Sequence, residues 1–307
     1  MTACLRQTGL AVKVRARYGK QLTEAELSAI SELGSIEETC AFLQGRSEQE
    51  LSLAIAGNTH RRLALTRIME EEFRSLGRFV PPGDKAFWQF FPHMQALRRL
   101  MSDYHSFRSG EDFCNATSGT IYEVGVRRIV QKGSLPDCSA AEALLRSRYD
   151  SYMLRLIQTR YQGTVSHRLK RLLGEATDRL NLLNLLRLKA YFPAEAQTLA
   201  RYLPARYRLS RQLYTRLSAA KTMEETRSLL AAEPHFAALA HLPLPALAQE
   251  QVDSLRRLYR QVIRSGEPSI AVAFAYLCDR AYAMEALAAV LDTVAEREAS
   301  KKEATVW

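Results

Sequence analysis

The chain has 307 residues, 47% of them hydrophobic and 25% charged, which is typical of a globular protein and excludes a disordered or collagen-like one. Its longest apolar run, 270–278, is far shorter than the roughly 20 residues that cross a bilayer, and residues 1–14 contain no apolar stretch typical of a signal sequence, so we expect none. The five scattered cysteines form no C-x-x-C pair, which argues against a disulfide framework and a zinc site.

The balance of charge is basic. Lys and Arg number 43 against 33 Asp and Glu, a formal net charge of +10. This charge favours an acidic partner such as nucleic acid, anionic lipid or an acidic protein, and a set of solvated helix faces explains it equally well. A late cluster of arginines is the candidate partner contact: Arg201, Arg206, Arg208 and Arg211.

The first part of the chain predicts helices separated by short breaks. Thr23 and Glu26 form a capping box, in which a hydroxyl and a carboxylate bond each other's backbone donors. Leu27 and Ile30 follow at helical spacing, which predicts a helix of about three turns. The clearest early break is 81–84, Pro-Pro-Gly-Asp. No segment alternates apolar and polar residues for long, so the sequence predicts an all-α fold.

Two stretches of the chain align with each other. Residues 35–43 and 222–230 both place a hydroxyl residue three positions before a glutamate and end in an apolar pair. The match extends upstream, where Leu22 pairs with Leu209, and a weaker third copy starts at Ser139. Because the copies are spaced at about the size of a small helical domain, the sequence predicts three helical repeats, with approximate bounds 1–108, 109–204 and 205–307.

No known catalytic motif occurs in the sequence. A phosphate-binding loop of the form G-x-x-x-x-G-K-[ST] and a dinucleotide-binding G-x-G-x-x-G are both missing. The six histidines form no H-E-x-x-H arrangement, and there is no G-x-S-x-G turn. We therefore expect neither an enzyme nor a bound cofactor or metal.

One leucine-rich segment, 178–192, carries a polar stripe. Its leucines recur around most of the helix axis, which predicts burial on nearly all sides. Asp178, Asn181, Asn184 and Arg187 are spaced by three residues, so they lie along one slowly drifting line. Since a buried polar group without a partner costs about 1–3 kcal/mol, we expect the stripe to bond to a neighbouring helix. On physical grounds such a stripe fixes packing in a helical bundle more often than it binds a ligand.

The same segment resembles a known family. The pattern D-x-x-N-L-x-x-x-x-R-x-K is similar to the repeat motif of the C-type subunits of V-type and A-type ATP synthases, which correspond to the d-type subunits of eukaryotic vacuolar ATPases. Its residues here are Asp178, Asn181, Leu182, Arg187 and Lys189. The stretches 11–23, 35–43, 202–230 and 268–290 also resemble the family in chain order. The sequence departs from the motif at 279–287, and at 87–99 the Asp and Asn are missing.

The resemblance implies an all-α, funnel-shaped protein built from three pseudo-symmetric helical repeats. It implies a non-catalytic central-stalk (rotor) role in a V-type or A-type ATPase, in which the protein connects the membrane rotor ring to the central shaft during ATP-linked H⁺ or Na⁺ transport. The expected partners are the ring and shaft proteins, and the expected location is peripheral, on the cytoplasmic face of the membrane. The alternative is a basic all-helical protein that binds nucleic acid or acts as a scaffold.

Overall fold

The computed structural model describes residues 3–46, 48–56, 60–130, 138–191 and 207–305. The prediction of an all-α fold is confirmed, because these residues form α-helices and short 3-10 helices and no strand occurs among them. Within the same ranges no helix is both long and apolar enough to cross a membrane.

The α-helices are numbered here in chain order. Their bounds are α1 Ala3–Tyr18, α2 Glu24–Glu32, α3 Ile36–Gly45, α4 Gln49–Ile55, α5 Arg61–Gly77, α6 Lys85–Trp88, α7 Phe90–Ser102, α8 Gly110–Thr117, α9 Glu123–Val130, α10 Cys138–Arg160, α11 Gly163–Tyr191, α12 Arg211–Ala219, α13 Met223–Ala231, α14 Leu244–Arg264 and α15 Ile270–Thr305. Three 3-10 helices lie at Pro82–Asp84, Tyr104–Ser106 and Ala237–Leu239.

The chain divides into two compact units. The first contains Met1–Pro82 and Tyr259–Trp307, and the second contains Gly83–Leu258. The boundary between the second unit and the C-terminal part of the first falls inside α14. The three repeats at 1–108, 109–204 and 205–307 and the funnel shape stay predictions.

The first unit is built around α15. Residues 270–277 are each at most 3% exposed, so protein surrounds this part of the helix on all sides. Helices α1, α2, α3 and α5 pack against it. The longest apolar run of the sequence is therefore a core helix, which its length favours over a membrane span.

The second unit is built around the antiparallel pair α10 and α11. Only two residues separate the helices, and Gly163 has φ +56°, a left-handed conformation that favours glycine at this sharp turn. Helices α7 and α9 pack against α10, and α13 packs against α11. In the C-terminal half of this second unit, the apolar core combines leucines of α11, α12 and α13, among them Leu182, Leu185, Leu213, Leu217 and Leu230.

The repeat seen in the sequence is present in the helix boundaries. Helix α2 follows the N-cap Thr23 and α12 follows the N-cap Ser210, 187 residues later, and both helices have nine residues. Helices α3 and α13 follow Ser35 and Thr222 at the same separation. The aligned buried pairs are Leu22 with Leu209, Leu27 with Tyr214, Ile30 with Leu217 and Leu43 with Leu230.

The N-termini of α3 and α13 also share their hydrogen bonds. Ser35 and Thr222 each accept the N–H of the glutamate three residues later at 3.1 Å. The carboxylates of Glu38 and Glu225 accept the N–H of the residue before the cap, at 2.7 and 2.8 Å. The weaker third copy differs: Ser139 lies within α10, which begins at Cys138, so it is not an N-cap.

Candidate functional site

The polar stripe lies in the C-terminal half of α11, and its exposure increases along the helix. Asp178 and Asn181 are buried, Asn184 is intermediate and Arg187 is exposed. The prediction of burial on nearly all sides is wrong at the end of the segment, because Tyr191 is 67% exposed and Arg187 faces solvent. The helix buries one broad face, which contains Leu182, Leu183, Leu185 and Leu186.

Asp178 bonds the backbone that leads into α12. Its carboxylate accepts the N–H groups of Tyr207 at 2.8 Å, of Leu209 at 2.9 Å and of Arg208. Burial raises the pKa of Asp178 above its ordinary value, and the three donors act against that rise by stabilising the carboxylate. The expected partner of the stripe is thus the backbone just before the neighbouring helix. Asp178 fixes where α12 begins relative to α11.

Lys189 bonds the other end of α12. Its ammonium donates to the carbonyl of Ser218 at 3.3 Å and to the carbonyl of Ala220, the C-cap residue. A cation at these carbonyls compensates the negative end of the helix. Burial lowers the pKa of Lys189. Because Asp178 and Lys189 follow each other along α11, α12 runs beside α11 in the same direction.

Gly174 allows the chain before α12 to lie directly on α11. A Cβ atom at this position would overlap the Cβ and ring carbons of Tyr207. Tyr207 is also the first residue whose N–H bonds Asp178. A side chain larger than hydrogen at position 174 would therefore push this backbone away from the carboxylate that holds it.

Glu175 is the centre of a charged cluster beside Asp178. Its side chain is only 8% exposed and forms an ion pair with Arg208 at 3.0 Å. His235 Nε2 lies 3.2 Å from the other carboxylate oxygen, and Arg179 lies 3.8 Å away. The guanidinium of Arg208 also lies over the ring of Tyr207, 5.8 Å from its centroid. These contacts connect α11, the entry to α12 and the residue preceding Phe236 in the core.

Asp150 on α10 is a second buried carboxyl group near the stripe. Burial raises its pKa to about 7, and the positive charge of Arg146 and a hydrogen bond from Thr177 only partly oppose this rise. The negative charge of Asp178 adds to it. Tyr122 also faces Asp150, and its hydroxyl donates to the carbonyl of His93 at 2.6 Å. Asp150 is thus a carboxyl group whose charge depends on pH near neutrality.

The arginines predicted to contact partners have different surroundings. Arg208 is held by Glu175 and its side chain is 47% exposed. Arg211 is exposed at the first position of α12 and forms no ion pair with the described residues. Arg201 and Arg206 lie outside the described residues. The structure therefore presents one predicted arginine, Arg211, as open surface and places another, Arg208, in an internal ion pair.

Glu175 and Asp150 were not predicted from the sequence. Glu175 lies three residues before Asp178, and this spacing puts both on one helix face, which could have extended the polar stripe by one turn. Asp150 carries no such signal, because nothing in its local sequence shows that the residue faces inward. Its burial depends on how α9, α10 and α11 pack.

The arrangement is suited to holding backbone in place. Asp178 and Lys189 direct their charges at peptide groups, and Leu182 fills the core between them. No group of His, Cys, Asp and Glu residues within the described ranges has the geometry of a metal site. Arg187 on α11 and Arg211 at the start of α12 are exposed beside this arrangement.

Comparison with known protein families gives a match over most of the chain. A family model described as ATP synthase (C/AC39) subunit matches residues 98–301, more than half of the chain. The matched range contains helices α8 to α14 and the whole polar stripe, and it leaves out α1 to α6. No curated protein is significantly similar to the chain.

Proposed function

The chain belongs to the ATP synthase (C/AC39) subunit family, and from this membership we propose that it is the non-catalytic central-stalk component of a V-type or A-type ATPase. In this role it connects the membrane rotor ring to the central shaft during ATP-linked H⁺ or Na⁺ transport. It is a peripheral component on the cytoplasmic face of the membrane. Its partners are the ring and shaft proteins.

The bonds made by the motif residues are the observation that supports this function best. The charged groups of Asp178 and Lys189 form hydrogen bonds with backbone at the two ends of α12 in the same chain. Residues used in this way maintain the shape of the protein. A protein that passes rotation from one partner to another needs a constant shape and firm interfaces, and it needs no reaction of its own.

Arg211 is the proposed partner contact with the clearest structural basis. It is exposed, and it stands in the first turn of α12, where a positive charge opposes the helix dipole. The residue therefore does not stabilise its own helix. A planar guanidinium can form two parallel hydrogen bonds with a partner carboxylate, which fixes orientation as well as charge. Arg208, Arg201 and Arg206 are proposed as further partner contacts.

An affinity pull-down tests the proposed function directly. The tagged full-length chain is recovered from gently solubilised membranes of its own organism, and the co-purifying proteins are identified by mass spectrometry. We expect a small, very hydrophobic ring protein and a long coiled-coil shaft protein. If both are missing from a preparation in which the remaining ATPase is intact, the proposal is wrong.

Single charge reversals then test the contact surface. We expect Arg211→Glu to reduce recovery of the ring or shaft proteins without lowering the thermal stability of the isolated protein. Arg67→Glu is the matched control, because Arg67 is an exposed arginine on α5 without an ion pair to the described residues. Equal recovery with both variants would remove Arg211 from the interface. Arg208→Glu is expected to lower stability as well, since it places a second carboxylate beside Glu175.

A further inference from the structure

A strongly basic stretch lies at the turn between α10 and α11. Residues 151–174 contain five Arg and Lys residues and one His, and no Asp or Glu. Gly163 turns the chain sharply here, so the end of α10 and the start of α11 lie side by side. We call this surface the basic hairpin tip and define it by Arg155, Arg160, His167, Lys170 and Arg171.

The charges of the basic hairpin tip are not used within the described part of the chain. Arg155, Arg160 and His167 are exposed, and Lys170 and Arg171 are half-exposed. None of the five forms an ion pair with a described residue. Asp84 is buried and accepts a hydrogen bond from Tyr161 at 3.0 Å, and it forms an ion pair with none of the five.

The start of α11 adds no negative charge to the tip. The positive end of a helix dipole lies at its N-terminus, where acidic residues are favourable. The first turn of α11 nevertheless has no acidic residue, and Lys170 and Arg171 follow two turns later. The positive charge of the tip is therefore not offset by its own stretch of sequence.

The tip offers positive charge without an apolar anchor. The large apolar side chains that are exposed in the described residues are Leu5, Val12, Leu53, Leu63, Val124 and Tyr191, and all lie outside 151–174. Protein interfaces have a core depleted of charge and enriched in aromatic and Met residues, and single-stranded nucleic acid is bound by stacking on aromatic rings. An anionic lipid surface needs neither, because it attracts clustered Lys and Arg through charge alone.

We propose that the basic hairpin tip binds the anionic phospholipid headgroups of a membrane surface. The contact is electrostatic and does not insert into the hydrocarbon layer, since no large apolar side chain of 151–174 belongs to the exposed class. It is therefore weakened by salt, which screens exposed charges over about 10 Å at 0.1 M and about 3 Å at 1 M. The inference does not depend on the family assignment, because it follows from the charges of this surface alone.

Vesicle sedimentation of the isolated full-length protein tests the proposal. We expect binding to phosphatidylcholine vesicles that contain phosphatidylglycerol, little binding to pure phosphatidylcholine, and release in high salt. The variant R155E/R160E/K170E is expected to bind at least about tenfold more weakly. The neutral variant R155Q/R160Q/K170Q is expected to show a smaller loss, and it replaces the reversal variant if that variant fails to fold by circular dichroism.

The matched control is R67E/R74E/R78E. It changes the net charge by the same amount on another exposed face, one whose surroundings include Glu70 and Glu71. The control should bind anionic vesicles much better than R155E/R160E/K170E. Equal weakening in both variants, equal binding to neutral vesicles or no binding by the wild type overturns the proposal. A wild-type protein that prefers double-stranded nucleic acid to vesicles, with this preference lost only in R155E/R160E/K170E, also overturns the proposal. That result assigns the surface to nucleic acid.

Discussion

Asp178 and Lys189, both on α11, bond to opposite ends of the same short helix. Asp178 accepts three backbone N–H groups just before α12, and Lys189 donates to the carbonyls at the end of that helix. They are eleven positions apart on α11, a distance of about 16.5 Å along the helix, and the nine residues of α12 span about 14 Å. The two side chains therefore match the length of the helix they hold.

Replacing Asp178 with Ala should destabilise the protein. The substitution leaves the N–H groups of Tyr207, Arg208 and Leu209 without their acceptor, and each buried donor left unsatisfied costs about 1–3 kcal/mol. We expect a loss of about 2–4 kcal/mol in the free energy of unfolding, measured by urea denaturation. Asp292→Ala is the control, because its exposed ion pair with Arg62 is worth at most about 1 kcal/mol. Similar losses in both variants would contradict the role of Asp178.

The motif contains two cations with separable roles. Lys189→Met removes the donor to the carbonyls that end α12 and should cost about 1–2 kcal/mol of stability. Arg187→Met should cost less than about 0.5 kcal/mol, because Arg187 is exposed. Thermal denaturation of the two variants side by side measures the difference. If Arg187→Met is as destabilising as Lys189→Met, the motif does not divide in this way.

Gly174 should tolerate no side chain. Gly174→Ala places a methyl group against Tyr207 and is expected to destabilise by about 1–3 kcal/mol, since a close-packed interior resists added volume. Gly45→Ala is a matched helical control, because nothing lies within 4 Å of its added Cβ. Urea denaturation of both variants checks the prediction. A stabilising Gly174→Ala would show that Tyr207 moves aside freely.

Asp150 should make stability fall as pH rises towards neutrality. Its pKa is about 7 in the folded protein and about 3.9 in an unfolded chain. Between these values the folded state keeps a proton that the unfolded state releases, so the free energy of unfolding decreases with rising pH and levels off above about 7. From pH 5 to pH 8 this effect amounts to about 2–3 kcal/mol.

Asp150→Asn isolates this contribution, because its amide does not ionise. Urea denaturation of wild type and variant at pH 5 and pH 8 should show a larger decrease for the wild type. Arg146, Thr177, Asp178 and Tyr122 face the same position and are unchanged in both proteins. Parallel decreases in the two proteins would assign the pH dependence to other groups.

The sequence predicted features that depend on neighbouring residues. The Thr23 box is an example, since hydroxyl and carboxylate are three residues apart and bond as expected. The alignment of 35–43 with 222–230 likewise predicted matching helix starts. The partners of Asp178 lie about thirty residues further along the chain, and no local pattern identifies them. The prediction that 178–192 is buried on nearly all sides is wrong near Tyr191, because a leucine-rich composition does not show which side of a helix a neighbour covers.

The double attachment of α12 has a mechanical consequence. A helix held at one point can swing about it, whereas attachment at both ends opposes swinging and sliding of α12 along α11. Because α11 is 29 residues long, about 44 Å, the helix that holds α12 in this way is continuous from the turn at Gly163 to Tyr191.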